Sequence, residues 1–225
     1  MSTLALDDAR PSDSSRHDGR LRPETGSTFE LPLAMPLVVD LDGTLIAGDM
    51  FYKSFFAALL RNPFIVLPCI GWVWCGRAAF KRELALRCRI DFDRLRLHQD
   101  VLALLLREKA AGRSVVLATA ADALLAEPIA ARLRVFDRVI ASDGSCNLKG
   151  PAKARALTQL FPGGFIYAGD SRDDLPVWRR ARAIVVVNAR KSVAAAARSL
   201  GLTTLELTGV SPAEACQRRP NGQDS

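Results

Sequence analysis

The sequence predicts an α/β protein built around a parallel sheet, and three observations carry that reading. Short, continuous apolar runs recur along the second half of the chain, at Val115 to Ala118, Phe165 to Ala168 and Ala183 to Val187, and Arg138 to Ser142 reads as a further strand around an apolar centre. Such runs read as strands buried on both faces. A stretch of helical periodicity follows each, and strand–helix alternation joins parallel strands through right-handed crossovers. The earliest run, Leu37 to Val39, passes straight into Asp40, Leu41, Asp42, Gly43 and Thr44. Carboxylates therefore stand at the carboxyl end of a strand, the end where open α/β sheets bind ligands.

Taken in order, residues 1–30 are rich in Ser, Asp, Arg and Gly without a sustained period, and are expected to form a disordered arm. His17 within it reads as a solvated residue. Order is expected from about Leu31. After Thr44 the pattern turns helical, with Met50, Phe51, Phe55, Phe56, Leu59 and Leu60 at three- and four-residue spacing. The stretch from Phe64 to Cys75 is apolar throughout, too short to span a bilayer, which needs about 20 residues. It has two readings: the core of a helical insertion, or an interfacial surface with Trp72 and Trp74 flanked by Arg61, Arg77, Lys81 and Arg82. Further helices are expected from about Arg77 to Cys88 and from about Gln99 to Ala111. The α/β pattern returns at Ser114. Asp122 is placed to cap a helix reaching Leu133, and Pro151 suits the first turn of one running to Leu160. Asp174 opens a short helix, Val193 to Leu200 is helical, Thr203 to Leu207 reads as an edge strand, and residues 211–225 as a loose tail.

At 225 residues, with 49% hydrophobic and 24% charged residues, the chain can bury a core. The formal charge of +7 allows an anionic partner. Its arginines form no stripe with aromatic interleaving, so no nucleic-acid partner is expected. Five cysteines (Cys69, Cys75, Cys88, Cys146, Cys216) show neither CxxC nor metal spacing, and the two histidines, His17 and His98, exclude a histidine-rich metal site. The polar first twenty residues contain no apolar signal-peptide region, and a cytoplasmic location, peripheral to a membrane if the apolar stretch serves there, is the expectation.

Asp40 and Asp42 repel unless a cation offsets them, and a hard divalent ion such as Mg²⁺ suits their oxygens. The alternative is a solvated Asp-Leu-Asp-Gly turn. Asp40 to Leu45 resembles the first signature of the haloacid dehalogenase-like superfamily, which is mostly phosphatases. Its later signatures have counterparts in the same order: Thr119 closing Val115 to Thr119, Lys149 or Lys153 before a helix, and Gly169, Asp170, Ser171, Arg172, Asp173, Asp174. The likeness covers about Pro36 to Leu207. The wording around Asn147, Tyr167 and Asp174 to Trp178 further resembles the soluble domain found in front of some intramembrane polyprenyl-transferring enzymes.

The resemblance implies a three-layer Rossmann-like core at 31–45 and 113–210, with a small helical cap at 46–112 inserted after the first strand. It implies Asp40 as nucleophile and Asp42 as acid and then base, a second acid that favours a phosphatase or phosphomutase. Thr119 and the Ala120 amide would hold phosphate, with simple strand-end bonding as the alternative for Thr119. Lys153, at the start of Lys-x-x-x-Leu157, is preferred over Lys149 as the phosphate lysine. Asp40, Asp42 through its backbone carbonyl, and Asp170 would hold Mg²⁺. The Gly-Asp-x-x-x-Asp spacing selects Asp174 over Asp173 as the supporting acid, with a helix N-cap as its alternative. The expected function is Mg²⁺-dependent hydrolysis of a small or lipid-linked phosphomonoester, with a regulatory module beside a membrane prenyltransferase, or a phosphomutase, as alternatives. Peripheral membrane contact would run through 64–75.

Overall fold

A computed structural model describes residues 28–48, 82, 83, 85, 86, 95–143 and 145–208. Six parallel strands form one sheet in the order β3-β2-β1-β4-β5-β6. They are β1 (Leu37–Val39), β2 (Val115–Asp122), β3 (Arg138–Ser142), β4 (Ile166–Gly169), β5 (Ala183–Val187) and β6 (Thr203–Leu207). The chain starts in the middle of the sheet, builds outward through β2 to β3, then returns to the other side of β1 for β4 to β6. That reversal opens a crevice beyond the carboxyl end of β1, where its neighbours' connections leave in opposite directions.

Strand side chains alternate between faces, so β1 feeds two cores at once. Leu37 and Val39 point into one cluster and Val38 into the other. The first is closed by α1 (Gln99–Ala110), through Val101, Leu104 and Leu105, and by α2 (Ala123–Leu133), through Ala126, Ile129 and Ala130. The second is closed by α3 (Pro151–Leu160), α4 (Leu175–Trp178) and α5 (Lys191–Arg198), through Leu157, Trp178 and Ala197 among others. Each buried Val, Leu or Ile among these contributes about 1.5–3 kcal/mol by leaving water. The result is the three-layer, Rossmann-like α/β arrangement that the alternation predicts.

Local signals act as their chemistry dictates. Asp122 accepts a hydrogen bond from the Leu124 amide at 3.0 Å and caps α2. Pro151 opens α3, where its missing N–H costs nothing. The continuous run Ala183 to Val187 is buried along its whole length, whereas the edge strand β6 is half-exposed.

Two boundaries differ from expectation. The arm at 28–30 is packed: Phe29 is buried in the core, and the buried Arg113 gathers the segment around its fork. Arg113 donates to Met35 O at 2.8 Å, Pro32 O at 2.9 Å, Leu31 O at 3.2 Å and Phe29 O at 3.4 Å, and pairs with Glu108 at 2.7 Å. One guanidinium offers five donors, which is why it can hold a loop that has no partner strand. The second difference is α1, grouped with the cap by sequence but sharing the core cluster with β1 and β2.

The inserted segment leaves and rejoins the core at one place. Ala47 donates to Arg96 O at 2.8 Å and His98 to Leu45 O at 2.9 Å, with Ile46 bridged to Leu97. Within it, Arg82, Glu83, Ala85 and Leu86 are helical. The apolar run 64–75 and the other cap residues among 49–81, 84 and 87–94, the arm at 1–27 and the tail at 211–225 lie outside the described residues. No helix among the described residues is long and apolar enough to cross a membrane.

Candidate active site

The crevice is furnished by the ends of the two central strands. Val39 of β1 is in register with Ala168 of β4, and the Asp40 amide donates to Ala168 O at 3.0 Å. Parallel pairing therefore sets Asp40 beside Gly169 and Asp170, although they are far apart in sequence. The turn after Asp40 passes through Gly43 at φ +79°, a conformation suited to glycine. A Cβ there would stand 2.3 Å from an Asp170 carboxylate oxygen, so the turn also makes room for that side chain. Thr44, fully buried, donates to Asp170 Oδ1 at 3.3 Å.

Asp174 is the third acid. Carboxylate oxygens of Asp40, Asp170 and Asp174 all lie within 4.8 Å of one another. Asp174 Oδ2 accepts from the Asp170 amide at 3.1 Å, the Ser171 amide at 3.0 Å and Ser171 Oγ at 3.1 Å, and Ser171 completes a capping box with it. Its carboxylate thus reaches back to order the loop that carries Asp170. Gly169 is required here too, since a Cβ would stand 2.6 Å from Asp174 Cγ.

Lys153 enters from the first turn of α3. Its Nζ donates to Asp40 Oδ1 at 2.7 Å and to the Tyr167 hydroxyl at 2.9 Å, and the side chain is buried. Tyr167 in turn donates to Asp174 Oδ1 at 2.8 Å. Lys149 lies apart, paired with Asp173 at 2.8 Å on the exposed surface. Asp42 is half-buried, and its charge is one of those that raise Lys153.

Thr119 is fully buried on β2, with Oγ1 accepting from the Ala121 amide at 3.0 Å. The strand-end bonding foreseen for it is present, and the hydroxyl retains its proton for a further acceptor. Ser142 of β3 braces this turn by donating to Ala120 O at 3.0 Å. Nearby, Arg82 of the inserted segment pairs with Asp122 at 3.3 Å.

Charge balance shows what the cluster lacks. Burial, opposed by Lys153 and reinforced by Asp174, pushes the Asp40 carboxyl up to about 6. Burial, then Asp174 and Asp40, push Asp170 up to about 7. Burial also opposes the charge on Lys153, but Asp40 and Asp174 outweigh it and hold that group above its ordinary value. Burial, with Asp174 and Asp40, drives the Tyr167 phenol well above its own. One ammonium among several carboxylates leaves an excess of negative charge in a poorly solvated place. A hard divalent cation fits that donor set in charge and in ligand type.

Asp40, Lys153, Asp170 and Asp174, all singled out by sequence, are thereby brought into one cluster. Asp42 lies in the turn after β1, its charge reaching Lys153, and Thr119 lies on β2. Sequence reasoning gave no role to Thr44, Tyr167, Ser171 or Ser142. Tyr167 carried a usable signal, because a tyrosine inside an otherwise apolar strand must find a partner for its hydroxyl.

Comparison with known proteins agrees with this geometry. The haloacid dehalogenase-like hydrolase family matches residues 37–179. The uncharacterized protein y4nM of Sinorhizobium fredii is 41% identical over 153 residues, which are 68% of this chain and 30% of that protein. The chain thus spans under a third of that relative's length. Among solved structures, a protein of unknown function from Bordetella pertussis superposes with a TM-score of 0.56 at 18% identity, over 76% of this chain and 98% of the other. A phospho-aspartyl intermediate analogue of phosphoserine phosphatase superposes with a TM-score of 0.52 at 14% identity, over 76% of this chain and 93% of the other. With its family signatures converging beyond the central strands of such a sheet, the chain belongs to the haloacid dehalogenase-like hydrolase family.

Proposed function

We propose that the protein is a Mg²⁺-dependent phosphomonoester hydrolase that works through an aspartyl-phosphate. The observation that carries this is the buried Asp40, placed against Lys153 and Asp170 with a second acid, Asp42, two residues on. A fold neighbour captured as a phospho-aspartyl analogue supports the same chemistry.

Asp40 attacks phosphorus, and the bond to the leaving alkoxide breaks as Asp42 delivers its proton. Asp42 then takes a proton from water, which attacks phosphorus, releases phosphate and restores the Asp40 carboxylate. Lys153, the Thr119 hydroxyl and the Ala120 amide serve as fixed donors to the phosphoryl oxygens. Asp40, Asp170 and the Asp42 backbone carbonyl would hold Mg²⁺, with Asp174 ordering the loop behind them. When bound, the ion supplies the positive charge that the carboxylates and the phosphate require.

The inserted segment between β1 and α1 would select the substrate. Its apolar run, with Trp72, Trp74 and flanking Arg and Lys residues, supports a lipid-linked phosphate and peripheral membrane contact. The 30% coverage of its longer relative favours a second reading, a regulatory module within a larger protein. Hydrolysis of p-nitrophenyl phosphate with Mg²⁺, lost on adding EDTA, is the test; wild-type protein inert toward a panel of phosphomonoesters would favour the module. For the membrane, flotation with anionic liposomes is expected to weaken on Trp72→Ala/Trp74→Ala, and an unchanged or absent flotation would remove that part.

A further inference from the structure

Tyr167 stands in β4 on the face covered by α3, among apolar neighbours, and is completely buried. Phenylalanine would fill that space, and a buried hydroxyl is costly unless its hydrogen bonds are made. Both hydrogen bonds of this phenol go to the acidic cluster: Lys153 Nζ donates to it at 2.9 Å, and it donates to Asp174 Oδ1 at 2.8 Å. Lysine is a point charge on a flexible four-carbon stem, so a single partner leaves its ammonium free to swing. Asp40 and Tyr167 together fix two of its three N–H directions, leaving the third for an incoming acceptor. At its other end the phenol holds one oxygen of Asp174, while the second oxygen orders the Asp170 and Ser171 amides.

We infer that Tyr167 is a positioning residue whose hydroxyl bridges the phosphate-binding lysine on α3 to the metal-bearing loop after β4, so that both halves of the site depend on one bond pair. This rests on the function proposed above, but its signature is separate: one hydroxyl behind the site should control cation affinity and oxyanion affinity together.

The test uses the full chain with Tyr167→Phe. Mg²⁺ affinity is read by calorimetry without substrate, and oxyanion affinity as the vanadate inhibition constant or, calorimetrically, with orthovanadate. Both constants are expected to weaken about tenfold, and kcat to fall by about 10–100-fold, the range typical of groups that orient metal ligands. Leu157→Ala, which opens a cavity in the same cluster, is expected to lower the melting temperature while keeping both constants. Asp174→Asn retains the shape but weakens the acceptor, and is expected to weaken vanadate binding although Lys153 is untouched. This second variant keeps the inference testable if Tyr167→Phe does not fold. Wild-type constants in Tyr167→Phe, or changes matching those of Leu157→Ala, would overturn the bridge. Wild-type protein that binds Mg²⁺ but hydrolyses no phosphomonoester would sink the proposed function and leave the Mg²⁺ comparison to judge Tyr167.

Discussion

Lys153 Nζ lies 2.7 Å from Asp40 Oδ1, across 113 residues of sequence. The contact arises because α3 packs on the same sheet face that β1 and β4 share, bringing its first turn over their carboxyl ends. It balances one carboxylate of the cluster and, among the described residues, leaves the negative charge of Asp170 and Asp174 without a cationic side chain of their own in that cluster.

Asp40→Asn keeps the shape of the side chain but removes its nucleophilic charge. Hydrolysis of p-nitrophenyl phosphate is expected to fall to background, a loss on the order of 10⁴-fold or more. Asp42→Asn should cost about 10²–10⁴-fold, as loss of a general acid and base does. Steady-state kinetics with each purified variant checks both, and activity near wild type in Asp40→Asn would remove the nucleophile assignment.

The two candidate lysines should separate cleanly. Lys153→Gln leaves Asp40 buried without its partner, and kcat is expected to drop at least about 10²-fold, as when a fixed donor to a developing oxyanion is lost. Lys149→Gln breaks only an exposed pair with Asp173, worth about 0–1 kcal/mol, and should stay within about twofold of wild type. Parallel kcat and KM measurements decide between them.

Without metal, stability should depend on pH in an inverted sense for carboxylates. Asp40 and Asp170 titrate near 6 and 7 in the folded chain, against an ordinary 3.8. The folded state therefore holds more protons than the unfolded one between about pH 4 and 7, and stability falls as pH rises through that window. The melting temperature in EDTA is expected to be several degrees higher at pH 5 than at pH 8. Saturating Mg²⁺ should raise it more at pH 8, because the ion needs the carboxylates ionised. A thermal-shift series across pH with and without Mg²⁺ would show a flat metal-free profile if the cluster carries no such excess charge.

Gly43→Ala places a methyl group against the Asp170 carboxylate and strains a positive φ. We expect a loss of about 1–3 kcal/mol in stability and a clear weakening of Mg²⁺ affinity. Urea unfolding and calorimetry measure the two; a stable variant with wild-type affinity would mean that the turn can rearrange without moving Asp170.

Arg113→Met tests the clamp far from the site. Its guanidinium and Glu108 are wholly buried, and removing one partner should cost about 3–5 kcal/mol. The kcat of the protein that remains folded is expected to be unchanged. A fall in kcat beyond about twofold, at a temperature where the variant is folded, would mean that the clamp reaches the site.

Much of this chain is settled by local chemistry. Short apolar runs rich in β-branched residues read as buried strands, and their alternation with helical stretches points to a parallel sheet. Asp40 and Asp170 are legible as candidates because each follows directly on a strand, whereas the choice of Asp174 over Asp173 comes from the family resemblance. Tertiary packing decided the rest. The Lys-x-x-x-Leu157 likeness favours Lys153 over Lys149, but only the seating of α3 on the sheet buries the one against Asp40 and leaves the other with Asp173. Helix α1 has the same periodicity whether it belongs to a cap or to the core, and its contact with β1 and β2 resolves that. Phe29 and its neighbours read as an arm until Arg113, 84 residues away, gathers their carbonyls. Periodicity reports which face of an element is apolar; which partner that face meets depends on contacts between residues far apart in the chain.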